Sequence, residues 1–256
     1  MSGYTALITG SSRGIGKGIA LALAAEGFSI GVNAPSIDGE VEDAVAELRS
    51  KGILSEPVIG DVSDLSTHER MLDKVEAAFG PLTTLVNNAG VSSLRRGDLL
   101  EVTPESYDRC QAINTRGAFF LTQAWARRVL KRERPIGLHH CVITVSSSNA
   151  TAVSIARGEY CVSKAGASML ARLFAVRLGA DEVGSYEIQP GLIETAMTEP
   201  VKDAYLQRIS EGMTVAQRMG KPSDIGSIAL ALATGKLAFC TGQALQADGG
   251  LVIPRF

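Results

Sequence analysis

Tyr160 and Lys164 are the two residues whose types and spacing indicate chemistry most directly. Positions i and i+4 lie on the same face of a helix, so both side chains can point into one pocket. A tyrosine has a pKa of about 10 in water and transfers protons poorly at neutral pH unless a nearby cation stabilises the phenolate. Lys164 can supply that charge. The pair alone also fits a half-buried tyrosine beside a solvated lysine, so its interpretation depends on the surrounding motifs.

A glycine-rich turn, TGSSRGIG at positions 9–16, follows the first apolar run and precedes a helical pattern. Such a turn brings backbone N–H groups and a helix N-terminus against a pyrophosphate. Its spacing is GxxxGxG rather than GxGxxG, and glycines at such a turn also serve simple packing. The turn therefore indicates dinucleotide binding once other motifs support it. The predicted contacts are Gly10, Ser12, Arg13, Gly14, Ile15 and Gly16.

These residues must be positioned by alternating strands and helices, because short apolar runs recur between longer stretches of helical period. The predicted strands are Tyr4 to Thr9, Phe28 to Val32, Pro57 to Gly60, Leu82 to Val86, Cys141 to Ser146 and Tyr186 to Ile188. The predicted helices are Ile15 to Glu26, Glu40 to Ser50, Thr67 to Phe79, about Glu105 to Arg132, and Gly158 to Leu178. The alternation predicts a parallel sheet covered by helices on both faces.

The composition indicates one globular domain over residues 1–256, with 45% hydrophobic and 20% charged residues and no internal repeat. The segment at about 192–220 is polar and lacks a strong period, which predicts a mobile cover over a site. A net charge of −2 gives no electrostatic footprint for nucleic acid or an anionic membrane. We find no targeting or membrane segment and expect a cytoplasmic protein.

The cysteines and histidines do not indicate a metal or a disulfide framework. The four cysteines, which include Cys161 next to Tyr160, lack CxxC pairing, so reduced thiols are expected. The three histidines do not combine with carboxylates or thiols at metal-ligand spacing. We expect no metal.

Six motifs occur in a fixed order along the chain. They are the glycine turn, Asn87-Asn88-Ala89-Gly90, Asn114, Ser147, Tyr160-x-x-x-Lys164 and Pro190-Gly191-Leu192-Ile193-Glu194-Thr195. From about Tyr4 to Gly250, the chain thereby resembles the short-chain dehydrogenase/reductase family. The resemblance implies a Rossmann-like, doubly wound parallel sheet. It also implies hydride transfer between a nicotinamide cofactor and a carbonyl or alcohol.

The resemblance implies a role for each residue at the reaction centre. Tyr160 would donate a proton to the substrate carbonyl as hydride arrives, and would remove it in the reverse direction. Lys164 would also hold the cofactor ribose. Ser147, which only its spacing to Tyr160 distinguishes from the two flanking serines, would hydrogen-bond the same carbonyl oxygen. Asn114 would hold a water that resupplies protons.

Further cofactor contacts are implied in the same way. The adenine contact implied for Asp61 has a second explanation, because an Asp at the end of a strand is also a common helix N-cap. The implied contacts are Asp61 and Val62 at the adenine, Asn88, Ala89 and Gly90 on the adenosine side, and Pro190, Gly191, Ile193 and Thr195 at the nicotinamide carboxamide.

NADP is the expected cofactor, and NAD is the alternative. Chains that bind the ribose 2′-hydroxyl carry an Asp or Glu at the end of the second strand, whereas the resemblance places Ala34 at that position. Arg13 can bind a 2′-phosphate through a charge-assisted hydrogen bond, and Ser36 can add a neutral one. Asp38 would reach back only if the loop is tight, and we expect it to start the next helix.

The substrate is expected to be a small carbonyl or alcohol compound. Length and Asp248-Gly249-Gly250 resemble 3-oxoacyl-acyl-carrier-protein reductases, whereas sugar and polyol dehydrogenases share the same frame. A third alternative is a non-catalytic dinucleotide-binding sensor. The basic residues in 127–134 are expected to form a solvated helix C-terminus and also suit an acidic carrier protein.

The resemblance also implies a homotetramer. Related chains pair the long helices that carry Asn114 and Tyr160, and pack C-terminal segments near the second symmetry axis. The apolar tail, residues 251–256, would otherwise be an exposed hydrophobic end.

Overall fold

The structure is a computed structural model that describes residues 3–134 and 136–254. In these residues the strands are β1 (Thr5–Ile8), β2 (Ser29–Ala34), β3 (Ser55–Ile59), β4 (Thr84–Asn87), β5 (Cys141–Val145), β6 (Gly184–Pro190) and β7 (Ala244–Ala247). They pair in parallel in the order β3-β2-β1-β4-β5-β6-β7. The winding therefore reverses between β1 and β4. Open parallel sheets bind ligands outside the carboxyl ends of their strands at such a reversal.

Helices cover both faces of this sheet. They are α1 (Gly14–Ala25), α2 (Gly39–Ser50), α3 (His68–Phe79), α4 (Pro104–Gln111), α5 (Ala118–Lys131), α6 (Gly158–Leu178), α7 (Lys202–Ser210) and α8 (Pro222–Ala233). On one face, α1, α2 and α8 share a core that contains Ile8 and Ile225. On the other, α3, α5 and α6 share a core that contains Leu7 and Trp125. The predicted doubly wound sheet is confirmed, because consecutive residues of β1 point into different cores.

The long helix predicted from about Glu105 to Arg132 is interrupted. A π-helical turn at Ala112–Gly117 separates α4 from α5. A Cβ at Gly117 would lie 2.3 Å from the carbonyl oxygen of Val62, so a glycine is needed where the turn approaches the loop after β3. Turns of this kind are frequent at functional sites, and this one contains Asn114.

Strand β7 is absent from the sequence-based prediction because its four residues, ALQA, form no clear apolar run. Strand β7 pairs with β6 at the edge of the sheet. Because no further strand covers its outer edge, its side chains need not form a continuous apolar run. The polar segment at about 192–220 contains α7. Within the described ranges, no helix combines the length and hydropathy of a membrane span.

Helices α1 and α8 pack backbone against backbone. A Cβ on Gly18 of α1 would lie 2.6 Å from the backbone of Pro222, and one on Gly226 of α8 would lie 2.6 Å from the carbonyl oxygen of Gly18. The two glycines therefore set the distance between α8 and α1, the helix that follows the glycine turn.

The substitution Gly226→Ala should destabilise the protein by about 1–3 kcal/mol, because the added methyl group forces the helices apart. The melting temperature at fixed protein concentration measures this change. Gly39→Ala is the matched control, since a Cβ at Gly39 would meet no atom within 4 Å. A Gly226→Ala protein that melts at or above the parent temperature would contradict the close helix contact.

Candidate active site

A cleft of 1850 Å³ lies at the carboxyl ends of the strands. It contains the loops that follow β1, β4, β5 and β6, together with the first turns of α6. It is therefore located where the winding of the sheet reverses. One wall of the cleft includes Ser147, Tyr160 and Lys164, and the glycine turn forms the opposite wall. The two walls come from parts of the sequence that are far apart.

Tyr160 is half-buried in the first turn of α6. Burial raises the pKa of the Tyr160 hydroxyl, while a side-chain hydrogen bond with Ser147 and the positive charge of Arg157 oppose that rise. The neighbouring Ser146 hydroxyl instead donates to Glu187 behind the strand. Ser147 is therefore the serine that contacts the tyrosine, and its role at the carbonyl oxygen stays a prediction.

Lys164 lies one helical turn beyond Tyr160 and is only 5% exposed. Its Nζ donates to the carbonyl oxygen of Val145 at 3.0 Å and lies 5.8 Å from the centroid of the Tyr160 ring. Burial lowers the pKa of Lys164 to about 8. A Cβ on Gly90 would approach Nζ to 3.3 Å, so the glycine leaves space beside the ammonium for a ligand.

A buried carboxylate, Glu187, acts on Lys164 from within the sheet, although the sequence analysis did not single it out. Glu187 is 1% exposed, and its oxygens accept hydrogen bonds from Ser146, from Ser168 at 2.8 Å and from Gln189 at 2.8 Å. Its negative charge helps to keep Lys164 protonated. The signal in the sequence was the polar pair Glu187 and Gln189 within YEIQP, because charged residues are rarely found inside a strand that is covered on both faces.

Cys110 is the other group whose negative charge would raise the pKa of Lys164, and a charged Cys110 would raise it more than Glu187 does. Burial, however, raises the pKa of the Cys110 thiol above its ordinary value. The thiol is therefore uncharged in the range where Lys164 titrates. The charge that raises the pKa of Lys164 is therefore that of Glu187.

Asn114 fastens the loop after β4 to α6. Its Oδ1 accepts from the N–H of Val91 at 2.8 Å, and its Nδ2 donates to the Val91 carbonyl at 2.9 Å and to Ser163 at 2.8 Å. The side chain is thus committed to positioning this wall, and it does not line the cleft. The water predicted at Asn114 stays a prediction.

The glycine turn has the geometry that a dinucleotide needs. Gly10 and Gly14 adopt positive φ angles of 61° and 55°, which favour glycine. A Cβ on Gly16 would lie 2.3 Å from the Gly10 carbonyl, and Asn88 Nδ2 donates to that carbonyl at 3.0 Å. No side-chain hydrogen bond caps the start of α1 at Arg13, so its first N–H groups are available to a pyrophosphate. The chain fits the expected cofactor here.

Most of the predicted cofactor-binding residues line this cleft, but Ser36, predicted at the 2′-phosphate, does not. Those that line it are Gly10, Ser12, Arg13, Gly14, Ile15, Gly16, Asp61, Val62, Asn88, Ala89, Gly90, Tyr160, Lys164, Pro190, Gly191, Ile193 and Thr195. The loop that carries Ile193 and Thr195 is fixed by Thr198, whose hydroxyl donates to the Ile193 carbonyl at 2.7 Å. The Asp61 carboxylate accepts from the backbone and hydroxyl of Ser63, which orders the turn after β3.

The assignment of Ala34 to the ribose-binding position is wrong. Ala34 is 1% exposed and belongs to the core between the sheet and α2. Its neighbours Asn33 and Pro35 line the cleft instead, because successive side chains of a strand point to opposite faces. Asp38 starts α2 as expected, since its carboxylate accepts from the N–H of Val41 at 3.0 Å.

Two of the basic residues near the end of α5 are paired with carboxylates. Arg128 contacts Glu69, Asp73 and Glu76 of α3, and Arg132 contacts Glu76 at 2.7 Å. The expectation of a solvated helix end is therefore wrong for these two arginines, because α3 presents carboxylates to them.

The histidines have structural partners. His68 Nε2 contacts the Val62 carbonyl, His139 Nε2 contacts the Tyr186 hydroxyl, and His140 Nδ1 contacts the Leu138 carbonyl. Burial lowers the pKa of all three. Within residues 3–134 and 136–254, no three His, Cys, Asp or Glu side chains come together where they could hold a metal ion.

Comparison with known proteins links this site to oxidoreductases. Residues 10–252 match a family model described as enoyl-(acyl carrier protein) reductase. A relative from Sphingomonas sp. (strain SKA58), named L-rhamnose 1-dehydrogenase (NAD(P)(+)), is 30% identical over 254 residues, with 99% of this chain and 98% of that protein covered.

Solved structures give the same result for the whole chain. A 3-oxoacyl-[acyl-carrier protein] reductase from Brucella melitensis in complex with NAD superposes with a TM-score of 0.95 at 38% identity, and covers 99% of this chain and 98% of that one. A gluconate 5-dehydrogenase from Burkholderia cenocepacia in complex with NADP and tartrate gives 0.90 at 28% identity, with 100% and 97% covered.

Proposed function

Because the chain belongs to the short-chain dehydrogenase/reductase family and is an oxidoreductase that uses NAD or NADP, we propose that Tyr160 is its general acid and base. The reaction is the reduction of a carbonyl to an alcohol or its reverse, carried out by one domain that spans residues 1–256. The observation that carries the proposal is the contact of Tyr160 with Ser147, beside the buried ammonium of Lys164.

The bound cofactor supplies or accepts hydride at the substrate carbon. In the reduction, the Tyr160 hydroxyl gives its proton to the carbonyl oxygen, and the Ser147 hydroxyl donates a hydrogen bond to the same oxygen as negative charge develops. The Lys164 ammonium stabilises the tyrosinate that remains. Solvent then returns the proton to Tyr160. In the oxidation, the tyrosinate removes the proton from the alcohol.

We propose a 3-oxoacyl thioester or a related short carbonyl compound as the substrate, with a sugar or polyol as the alternative. The reductase from Brucella melitensis favours the first class, and the L-rhamnose dehydrogenase favours the second. The cover segment at about 192–220 is expected to select between them, since its residues Met197, Tyr205 and Met213 line the cleft. A sensor without activity would need neither Tyr160 nor Lys164.

We further propose a cytoplasmic homotetramer. An apolar strip on α5 and α6, formed by Phe120, Met169, Leu173 and Val176, is exposed, and Val176 is 87% exposed. Monomers rarely leave such a surface uncovered. All four cysteines are free thiols, which suits a reducing compartment. The proposed packing of the tail includes Arg255 and Phe256, which lie outside the described residues.

Tyr160→Phe should reduce kcat by at least about 10²–10⁴-fold, because the carbonyl oxygen loses its proton donor. The melting temperature and the Kd for NADPH should stay at parent values, since the ring remains. Initial rates of NADPH oxidation with a carbonyl panel, together with NADPH fluorescence titration, measure these quantities. Near-parent turnover in this variant would refute the role of Tyr160.

Glu187→Gln should shift the alkaline limb of the carbonyl-reduction rate to lower pH by about one unit. The sign follows because the carboxylate raises the pKa of Lys164 and burial lowers it to about 8. Without that charge, the ammonium is lost at a lower pH. The pH dependence of kcat checks the shift, and Ser168→Ala, which keeps the charge, is the control. An unmoved limb would contradict the coupling.

We propose NADP as the preferred cofactor. The side chains that line the cleft at the end of β2, Asn33 and Pro35, are uncharged, and Asp38 is occupied as a helix cap. Arg13 is the cation that would bind the 2′-phosphate. It forms an exposed ion pair with Glu40 at 3.1 Å, so the carboxylate competes with the phosphate.

Glu40→Gln should therefore raise the ratio of kcat/KM for NADPH to that for NADH by about three- to tenfold, and Arg13→Ala should lower it. Glu42→Gln is the control, because Glu42 shares the first turn of α2 but does not line the cleft. Steady-state kinetics with both cofactors decide the matter. A parent that prefers NADH, or an Arg13→Ala variant that loses both cofactors equally, would overturn the assignment.

The double substitution Leu173→Glu with Val176→Glu should break the proposed tetramer, because buried carboxylates without partners oppose association. Light scattering at micromolar protein should give a tetramer for the parent and a smaller species for the variant. Leu100→Glu, at an exposed apolar residue outside α5 and α6, should leave the mass unchanged. A monomeric parent would contradict the proposal.

A further inference from the structure

The end of the cleft beside Tyr160 is positively charged. Four arginines line the cleft without a carboxylate partner among the described residues: Arg96, Arg109, Arg157 and Arg208. The arginine ion pairs formed in residues 3–134 and 136–254 involve other positions: Arg13, Arg49, Arg128, Arg132, Arg177 and Arg218. The charges of the four cleft arginines are therefore not neutralised by the chain.

Arg157 is the arginine nearest to the reaction centre. Its guanidinium carbon lies 5.5 Å from the centroid of the Tyr160 ring, and the residue is half-buried at the start of α6. Arg109 is held nearby by a hydrogen bond from Nη1 to the Ser92 carbonyl at 3.2 Å. The loop at 92–97 and the first turn of α6 thus both present guanidinium groups to the cleft.

The carboxylates that line the cleft follow strands on the far side of the reversal between β1 and β4. Asp38 and Glu40 follow β2, and Asp61 follows β3, whereas Tyr160 and Arg157 lie beside β5. Glu40 is paired with Arg13, and Asp38 caps α2. No acidic residue in the described lining faces Arg157. The carboxylates of the cleft thus follow β2 and β3, beyond the glycine turn, whereas the unpaired guanidinium of Arg157 lies at Tyr160.

A half-buried guanidinium without a counter-charge loses hydration and gains nothing from an ion pair. Stacking on Tyr160 returns only part of that cost. The planar N–H groups of arginine match the oxygens of carboxylate and phosphate, and a wall of one sign concentrates ligands of the opposite sign. A solvated arginine with a purely structural role would not need to lie beside the reacting hydroxyl.

We propose that the substrate carries an oxyanion, either a carboxylate or a phosphate, a few bonds from the carbonyl that is reduced at Tyr160, and that Arg157 binds it. The inference rests on the proposed reaction at Tyr160 and, among the related short carbonyl compounds proposed above, selects those that carry an anionic group in place of an uncharged thioester or polyol. The reaction is then the conversion of an oxo acid or oxo phosphate, NADPH and a proton into the hydroxy compound and NADP⁺. Arg96, Arg109 and Arg208, which also line the cleft, would attract the anion to it.

Matched pairs of substrates test the charge directly. Acetoacetate is compared with methyl acetoacetate, and dihydroxyacetone phosphate with dihydroxyacetone, in the parent, Arg157→Gln and Arg157→Lys. In the parent, kcat/KM should be higher for at least one anion than for its neutral partner. Arg157→Gln should lower the anion-to-neutral ratio by about 10- to 100-fold, and Arg157→Lys by less. The pair that responds identifies carboxylate or phosphate.

The ratio is the readout because Arg157 also acts on Tyr160, and any loss of proton transfer changes both members of a pair equally. Arg95→Gln is the control, since Arg95 is exposed in the same loop as Arg96 but does not line the cleft. It should leave the ratio unchanged. A parent that favours the neutral compounds, or an unchanged ratio in Arg157→Gln, would overturn the inference.

Calorimetry on the NADP⁺-saturated protein separates this inference from the proposed function. Tartrate, which carries carboxylates, should bind more tightly than threitol, its uncharged counterpart, and Arg157→Gln should remove the difference. If no compound is reduced but tartrate binding depends on Arg157, the proposed reaction fails and the anion site stands. If the compounds are reduced but neither the ratio nor tartrate binding responds to Arg157, the anion site fails and the reaction stands.

Discussion

The burial of the Lys164 ammonium beside the Tyr160 ring is the interaction on which the rest of the site depends. A buried cation is costly unless it is hydrogen-bonded and faces negative charge, and here the Val145 carbonyl and the Glu187 carboxylate supply these partners from adjacent strands. Both positions are set by the packing of α6 against β5 and β6. The sheet therefore determines the charge state of the lysine as well as its place.

The two walls that face this lysine are built by different devices. Helix α6 carries Tyr160 and is tied to the loop after β4 through Asn114, whose π-helical turn is accommodated by Gly117. The opposite wall is the glycine turn, whose positive φ angles leave the N-terminus of α1 open to the cleft. One cleft thus joins a phosphate-binding backbone to a proton-transferring side chain, with separate charge patterns at its two ends.

Much of this arrangement could be predicted from the sequence, because apolar runs mark buried strands and the Tyr160 motif has a spacing that a helix places on one face. Other features depend on tertiary packing. Strand β7 has no apolar run because it is an edge strand. Ala34 was assigned to the ribose-binding position because both faces of β2 are buried, so the sequence does not show which of its side chains face the cleft. Glu187 and Arg157 gain their meaning only from neighbours distant in sequence.

The pKa of Lys164 tests the central claim most directly, because it reports burial, hydrogen bonding and the Glu187 charge together. Lysine side-chain NMR of the isotope-labelled protein, with the resonance assigned by its loss in Lys164→Arg, gives the titration of this ammonium. Our account predicts a pKa of about 8. An ordinary lysine pKa of about 10.4 would show that the ammonium is solvated and would contradict the account of the site.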